Sequence, residues 1–399
     1  MLLIPGNSKM DYNGYMKKRI LIDASTVTSQ IDGLSHYIIN LVKYLPEESF
    51  EKFEYSVVIN KGLKRNALTE LLTDPRIKVI EAKIASIGPK RDWDMFWFLR
   101  KYKKQFDLIH ITSSNYPFAL KNGICTIHDI TFKKYFDSPR FTFNLAPIYM
   151  DWVVKAALRN AKAIITVSQS TKNEVVKAYQ LGDKESEKIQ PVWHGGWEHL
   201  VHEVESGDNT CADERAAGGN YLLYVGTHRK HKNISNLLLS FKIALPGIPP
   251  NKKLTIIGSE KYLKPADLEV IHDINAEGTR VIFTGYLSQV CVDKYFENAD
   301  AFIFPSLSEG FGLGVLEAFY YKIPLLCSDI TSIPEIAGDA AVYFNPFEPK
   351  DIAAAITKFY ADGSIARSLI EAGQERLKLF SWEKNAAETV AFYEKCLAE

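Results

Sequence analysis

FPSLSEGFGLGVLEAFYYKIPLLCSD, residues 304 to 329, reads as a strand end, a glycine-containing loop, an amphipathic helix, a short turn and a second strand. Phe304 and Pro305 close an apolar run that begins at Ala301. Ser306, Ser308 and Gly310 supply loop chemistry, whereas Val315, Leu316, Phe319 and Tyr320 recur at helical spacing. Such a loop delivers the first turn of a helix to the carboxyl edge of a sheet, where open α/β folds bind ligands. The amides of that turn and the positive end of the helix dipole favour an anion such as a diphosphate. Glu309 precedes the helix and Glu317 lies inside it, with seven residues between them. Eight helical steps would separate them by roughly 12 Å. That is too far for a shared proton or for a glycosidase carboxylate pair at about 5–9.5 Å. The spacing suits two hydroxyl-rich rings held on either side of a diphosphate; a loop Glu and a solvated helix Glu are the plainer alternative.

Outside this stretch, the 399 residues are enough for two or three domains with cores of their own. Net charge is zero, but residues 1–200 carry +8 and the remainder −8. A basic front half points to an anionic partner. No nucleic-acid motif accompanies the charge, so an anionic membrane or a phosphate-linked acceptor fits better. Cys125, Cys211, Cys291, Cys327 and Cys396 are odd in number and scattered, which argues for reduced thiols in cytosol and against a disulfide framework or zinc site. The opening MLLIPGNSKMDYNGYMKK has no continuous apolar core, so it does not read as a signal peptide, and Met16 is an alternative start. No run reaches the length of a membrane span.

Along the first half, RILIDAS, EYSVVIN, RIKVIEA, DLIHITS, ICTIHDIT, AKAIITV and KIQPV are short β runs separated by helical patterns. That alternation means a parallel sheet covered on both faces. Asp32, Gly33 and Leu34 form a turn that lets the backbone approach a ligand closely, or simply a turn before a helix. In WDMFWFLRKYKK, Trp93, Phe96, Trp97 and Arg100 fall at helical spacing and cations cluster at one end. The segment is either a core-packing helix or an interfacial one, with rings at a lipid boundary and cations on anionic headgroups. Ser170 or Thr171 is placed to cap the helix after AKAIITVS. Residues 203–219 show no apolar period and end in Gly218 and Gly219, as a linker does. YLLYVG, KLTIIG, RVIFTGYL, DAFIFPS, IPLLCSD and AAVYFNP then repeat the strand–helix alternation, and SWEKNAAETVAFYEKCL closes the chain as an amphipathic helix.

Taken together, SLSEGFG from Ser306 to Gly312, Glu317 with Ala318 and Phe319, and Ile323 with Pro324 resemble the E-x7-E signature of retaining glycosyltransferases of family 4, which have the GT-B fold. The resemblance implies an α/β chain of two Rossmann-like, doubly wound domains facing an interdomain cleft. Residues 17–200 would form the acceptor-side domain, 201–219 a linker, 220–380 the nucleotide-sugar domain, and 381–399 a helix crossing back to the first domain.

The family pattern also implies roles. Glu309 would hold the donor sugar and Glu317 the nucleotide ribose, with the amides of Gly310, Phe311, Gly312 and Leu313 around the sugar and diphosphate. Lys232 matches the family's phosphate-binding lysine; Arg229 stands two residues after Thr227, the position where relatives often carry the arginine. His128, with Asp129, matches an H-D pair that reaches the donor sugar, and the Gly285–Tyr286 turn lies where relatives receive the base. Gly33 stands where many relatives have a two-glycine loop, and His194–Gly195 fits a family turn.

Helix dipole and cations would replace a divalent ion, so no metal or other cofactor is expected, and the nucleotide-diphosphate sugar is substrate. The motif forms are similar to those of mannosyltransferases of surface-polysaccharide assembly, which implies GDP-mannose, a glycan or lipid-linked glycan acceptor, and a cytoplasmic or peripheral-membrane setting. A sugar-nucleotide epimerase of the same fold would need acid–base carboxylates that the sequence does not place. A silent nucleotide- or carbohydrate-binding protein is the reading from another class.

Overall fold

A computed structural model describes residues 17–28, 32–63, 67–136, 145–196, 211, 218–227, 229–259 and 263–398. The opening segment and most of the expected linker lie outside the described residues. Met1–Lys133, Arg140–Val204 and Ser381–Glu399 cluster as one compact unit, Lys134–Pro139 and Glu205–Phe380 as a second.

The first unit is built on seven strands: β1 Lys18–Asp23, β2 Phe53–Asn60, β3 Ile77–Ala82, β4 Leu108–Ile111, β5 Ile124–Ile127, β6 Ala163–Thr166 and β7 Ile189–Pro191. Their order is β3-β2-β1-β4-β5-β6-β7, and every pair is parallel. Parallel strands with helices on both faces read as unbroken apolar runs, and the side-chain period of two sends neighbours into different cores. In β1, Ile20 and Ile22 join the cluster with Tyr37, Leu41 and Trp382, while Leu21 joins the opposite cluster with Met95, Leu99 and Ile109. The order reverses between β1 and β4, which puts the switch point of this sheet at Asp23 and Ile111.

The second unit has β8 Tyr221–Val225, β9 Lys253–Ile257, β10 Val281–Gly285, β11 Ala301–Phe304, β12 Leu325–Ser328 and β13 Val342–Phe344. Their order is β10-β9-β8-β11-β12-β13, again all parallel. Here the reversal falls between β8 and β11. The loops that follow those two strands carry Lys232 and Glu309, so this topology places both at the switch point, where open sheets of this kind take ligands.

The closing helix, Trp382–Ala398, belongs to the first unit. Trp382, Ala386, Val390 and Tyr393 are buried in its core. The Trp382 indole donates to Gly196 O at 3.0 Å, and Asn385 Nδ2 donates to Trp193 O at 2.6 Å. Further along, Tyr393 Oη and His110 Nδ1 lie 2.6 Å apart, and His110 Nε2 is 2.7 Å from Thr126 Oγ1. Burial pulls the His110 imidazole down to about 3, so it is neutral in this chain of hydrogen bonds. A Cβ on Gly195 would lie 2.3 Å from Trp382 Cγ, so the docked indole requires glycine there.

Three expectations are corrected. Cys211 and Cys291 form a disulfide, while Cys125, Cys327 and Cys396 are buried outside any disulfide among the described residues. The two partners are 80 residues apart, and only the fold brings their Cα atoms to 4.9 Å. Ser168, not Ser170 or Thr171, caps the helix Gln169–Tyr179 by accepting from Thr171 N at 3.0 Å. Tyr320 is exposed, so the buried face of the helix at Leu313–Tyr320 consists of Val315, Leu316, Ala318 and Phe319.

Candidate active site

The loop after β8 makes a short 3₁₀ turn at Lys230–Lys232 and then passes through Asn233 in the left-handed conformation, φ 60°. Asparagine tolerates this region better than other residues with a Cβ. Its buried Nδ2 donates to Pro305 O at 3.0 Å and to Pro346 O at 2.7 Å, tying the loop to the ends of β11 and β13. Leu307 N donates to His231 O at 2.7 Å, a second tie between the two loops. Lys232 is thereby held beside the motif, with its Nζ 2.6 Å from Glu309 Oε1 and 5.5 Å from the centre of the Phe304 ring. Both side chains keep some solvent contact, 22% and 14%.

Glu309 is fixed through its backbone. Its N–H donates to Thr331 Oγ1 at 3.3 Å, and its carbonyl accepts from Ser332 Oγ at 3.0 Å. Gly312, at φ 99°, starts the motif helix Leu313–Tyr320, with no side chain to bond the first-turn amides. The eight-step helical separation of Glu309 and Glu317 therefore does not hold: only the path from Leu313 onward is helical. Gly314 sets the depth of that helix, since a Cβ there would meet the rings of Phe302 and Phe304 at 3.2 Å. The Phe311 ring is buried and packs edge-on to Phe380 at 6.0 Å, so its side chain is a core element and only its backbone remains for a ligand.

Glu317 is half-buried on the motif helix. Burial first, and then the charge of Asp293, push its carboxyl up to about 8. Asp293 accepts from Tyr321 Oη at 2.5 Å and from Gln289 Nε2 at 2.8 Å. With its pKa near 8, Glu317 is mostly protonated at neutral pH, able to donate one hydrogen bond and accept others. Arg229 is exposed at the start of the Lys230–Lys232 turn, and Tyr286 is exposed just after Gly285, which takes φ 76°.

The other three predicted residues lie on the first unit. Asp32 caps the helix Gly33–Ser49, accepting from Ser35 N at 2.8 Å, which makes Gly33 the first helical residue, outside the positive-φ turns. His128 follows β5, half-buried, with its Nε2 2.9 Å from Thr112 O. A carbonyl only accepts, so the ring proton sits on Nε2 and Nδ1 is an acceptor. Burial lowers the imidazole pKa, which keeps that tautomer neutral. Asp129 Oδ1 accepts from Thr131 N at 2.8 Å and so shapes its own turn. Sequence reasoning did not find Asn233, Gly314, Asp293, Thr331 or Ser332. Of these only Gly314 left a signal, the second glycine of Gly312-Leu313-Gly314.

The arrangement offers a cation paired to a carboxylate, a helix N-terminus without a side-chain cap, and a protonated acid on the same helix. These can hold a diphosphate between two polyhydroxyl groups. Residues 212–376 match the family model "Glycosyl transferases group 1", and residues 31–192 match "Glycosyltransferase Family 4". O-antigen chain mannosyltransferase B of Escherichia coli is 26% identical over 300 residues, covering 74% of this chain and 76% of its own. O-antigen chain mannosyltransferase RfbU of Salmonella typhimurium is 27% identical over 319 residues, 77% of each. The solved structure of Anabaena HepE in complex with UDP and glucose superposes with a TM-score of 0.67 at 16% identity, over 95% of this chain and 99% of that one. With two parallel Rossmann-like sheets and a family match on each, the chain belongs to the glycosyltransferases of family 4 and has the GT-B fold.

Proposed function

We propose that this chain moves a mannosyl unit from GDP-mannose, with retention, to a hydroxyl of a lipid-linked glycan acceptor during assembly of a surface polysaccharide. The observation that carries the reading is the Lys232–Glu309 pair at 2.6 Å, set at the sheet's switch point beside the motif helix. An ammonium has three donors, so Lys232 can keep Glu309 in place and still donate to the diphosphate. Arg229 and the first-turn amides share that charge as it grows on the leaving nucleotide, the task a metal ion performs in other transferases. The second Glu309 oxygen is left for sugar hydroxyls, and Glu317 takes the ribose. His128 Nδ1 accepts from a donor-sugar hydroxyl. The departing phosphate helps remove the acceptor proton on the same face. Mannose is favoured by the two O-antigen mannosyltransferases to which the chain is similar, and UDP is the rival nucleotide because of the HepE complex. The enzyme would work on the cytoplasmic side of a membrane; among the described residues no helix is long and apolar enough to cross one.

Calorimetric titration of GDP and UDP into wild type and Glu317→Ala, in magnesium and then in EDTA, tests the donor site. GDP binding that persists in EDTA and weakens in the variant supports the reading. A UDP preference removes mannose from GDP-mannose, and EDTA-sensitive binding removes the metal-free mechanism. The anomeric configuration of the product, read by NMR, decides retention.

A further inference from the structure

The helix Pro89–Tyr102 turns Met95, Phe98 and Leu99 into the core. Its opposite side leaves Trp93 60% and Trp97 49% accessible. The helix Ala146–Asn160 does the same: Val153, Val154 and Ala157 are buried, while Ile148 and Trp152 stand out to solvent. Ring contacts join the two helices. Phe96 lies 5.3 Å from Trp97 and stacks on Phe118 at 6.2 Å, and Phe118 lies 6.1 Å from Trp152. This is one aromatic face across two helices and a loop, the kind of patch that marks a docking surface.

Charge selects the partner. The acids of these helices are already matched: Asp92 is buried and accepts from Tyr149 Oη at 2.6 Å, Asp94 pairs with Lys90, and Asp151 pairs with Lys133 and Lys155. Arg100, Lys101, Lys103 and Lys104 are exposed at the end of the first helix without an ion pair among the described residues. Arg100 also lies over the Trp97 ring, 5.5 Å from its centre. We propose that this face docks the protein on an anionic lipid bilayer, with the indoles at the headgroup boundary and the four cations on lipid phosphates. It deepens the lipid-linked acceptor of the proposed function but uses none of the residues assigned to the donor.

The test is flotation of the full-length chain with vesicles of phosphatidylcholine, with and without phosphatidylglycerol, at low and high salt. Wild type is expected to float with the anionic vesicles, less so at high salt. Trp93→Ser/Trp97→Ser/Trp152→Ser and Arg100→Ser/Lys101→Ser/Lys103→Ser/Lys104→Ser should each weaken partition by about tenfold or more. All seven substituted positions are exposed, and circular dichroism with thermal unfolding of the same variants checks that the first unit remains folded. Brominated acyl chains should quench tryptophan emission in wild type and quench it less in Trp152→Ser. The proposal is overturned if wild type ignores anionic vesicles, or if the substitutions leave partition unchanged. It is also overturned if wild type is a dimer that the tryptophan variant makes monomeric, since the face would then belong to a second copy. Vesicle binding without nucleotide binding would instead sink the donor reading and leave this one standing.

Discussion

Replacing Asn233 separates two effects that act at one residue. Its Nδ2 serves two buried carbonyls, Pro305 O and Pro346 O, while its backbone sits at φ 60°. Asn233→Ala loses two hydrogen bonds at about 1 kcal/mol each. It also forces alanine into the left-handed region, at about 1 kcal/mol. The sum is about 3 kcal/mol. Asn233→Gly loses the same bonds without the conformational cost, so it should be milder by about 1 kcal/mol. Urea unfolding followed by circular dichroism reads both values. The chain supplies an internal control, because all six tryptophans fall in the first unit and their fluorescence follows that unit alone. The two variants should shift the transition of the second unit and spare the fluorescence transition. Equal losses in Ala and Gly, or losses below about 0.5 kcal/mol in both, would refute the reasoning.

Four further outcomes follow from the same structure. Lys232→Met leaves Glu309 without its partner at 2.6 Å and should lower kcat/KM by about a hundredfold or more; a fall below tenfold removes Lys232 from the diphosphate. Glu317 has a folded pKa of about 8 against an ordinary 4.5, so its contribution to stability is present below pH 4.5 and is lost as pH climbs through 8. Glu317→Gln, neutral throughout, should gain on wild type over that window, and parallel stability–pH curves would contradict it. Gly195→Ala must displace the Trp382 indole, at about 3 kcal/mol, and should expose the closing helix to limited proteolysis. Cys211→Ser should lower the unfolding temperature of oxidised protein to that of reduced wild type, while a wild type insensitive to reductant speaks against the bond.

Most strands were legible because they centre on short apolar runs, and the helices because their buried residues repeat at helical spacing. Ile20 to Asp23, Ala301 to Phe304 and Leu325 to Ser328 are buried throughout, the pattern that parallel strands produce. Lys232 and Glu309 were each legible from local chemistry, but their pairing across 77 residues was not. It depends on β8 lying beside β11, a neighbour relation that no local pattern encodes. The start of the motif helix was misplaced for a related reason. Gly310 and Gly312 both look like loop residues, and only the positive φ of Gly312 shows where the loop ends. Asp293 comes from another helix altogether, and Cys211 and Cys291 are 80 residues apart with no local pattern that pairs them.

The return of the last helix to the first unit has a consequence for synthesis. Trp382 bonds to Gly196, 186 positions earlier, and the core around Tyr37 and Leu41 is incomplete without it. At cellular elongation rates a ribosome needs roughly ten to forty seconds to make the intervening chain. During that time the earliest part of the protein waits with an apolar groove uncovered, while the later unit has every residue of its own sheet in hand first. A stop codon just before Trp382 would therefore injure the end of the molecule made first, and the groove is where a chaperone would be needed on the nascent chain.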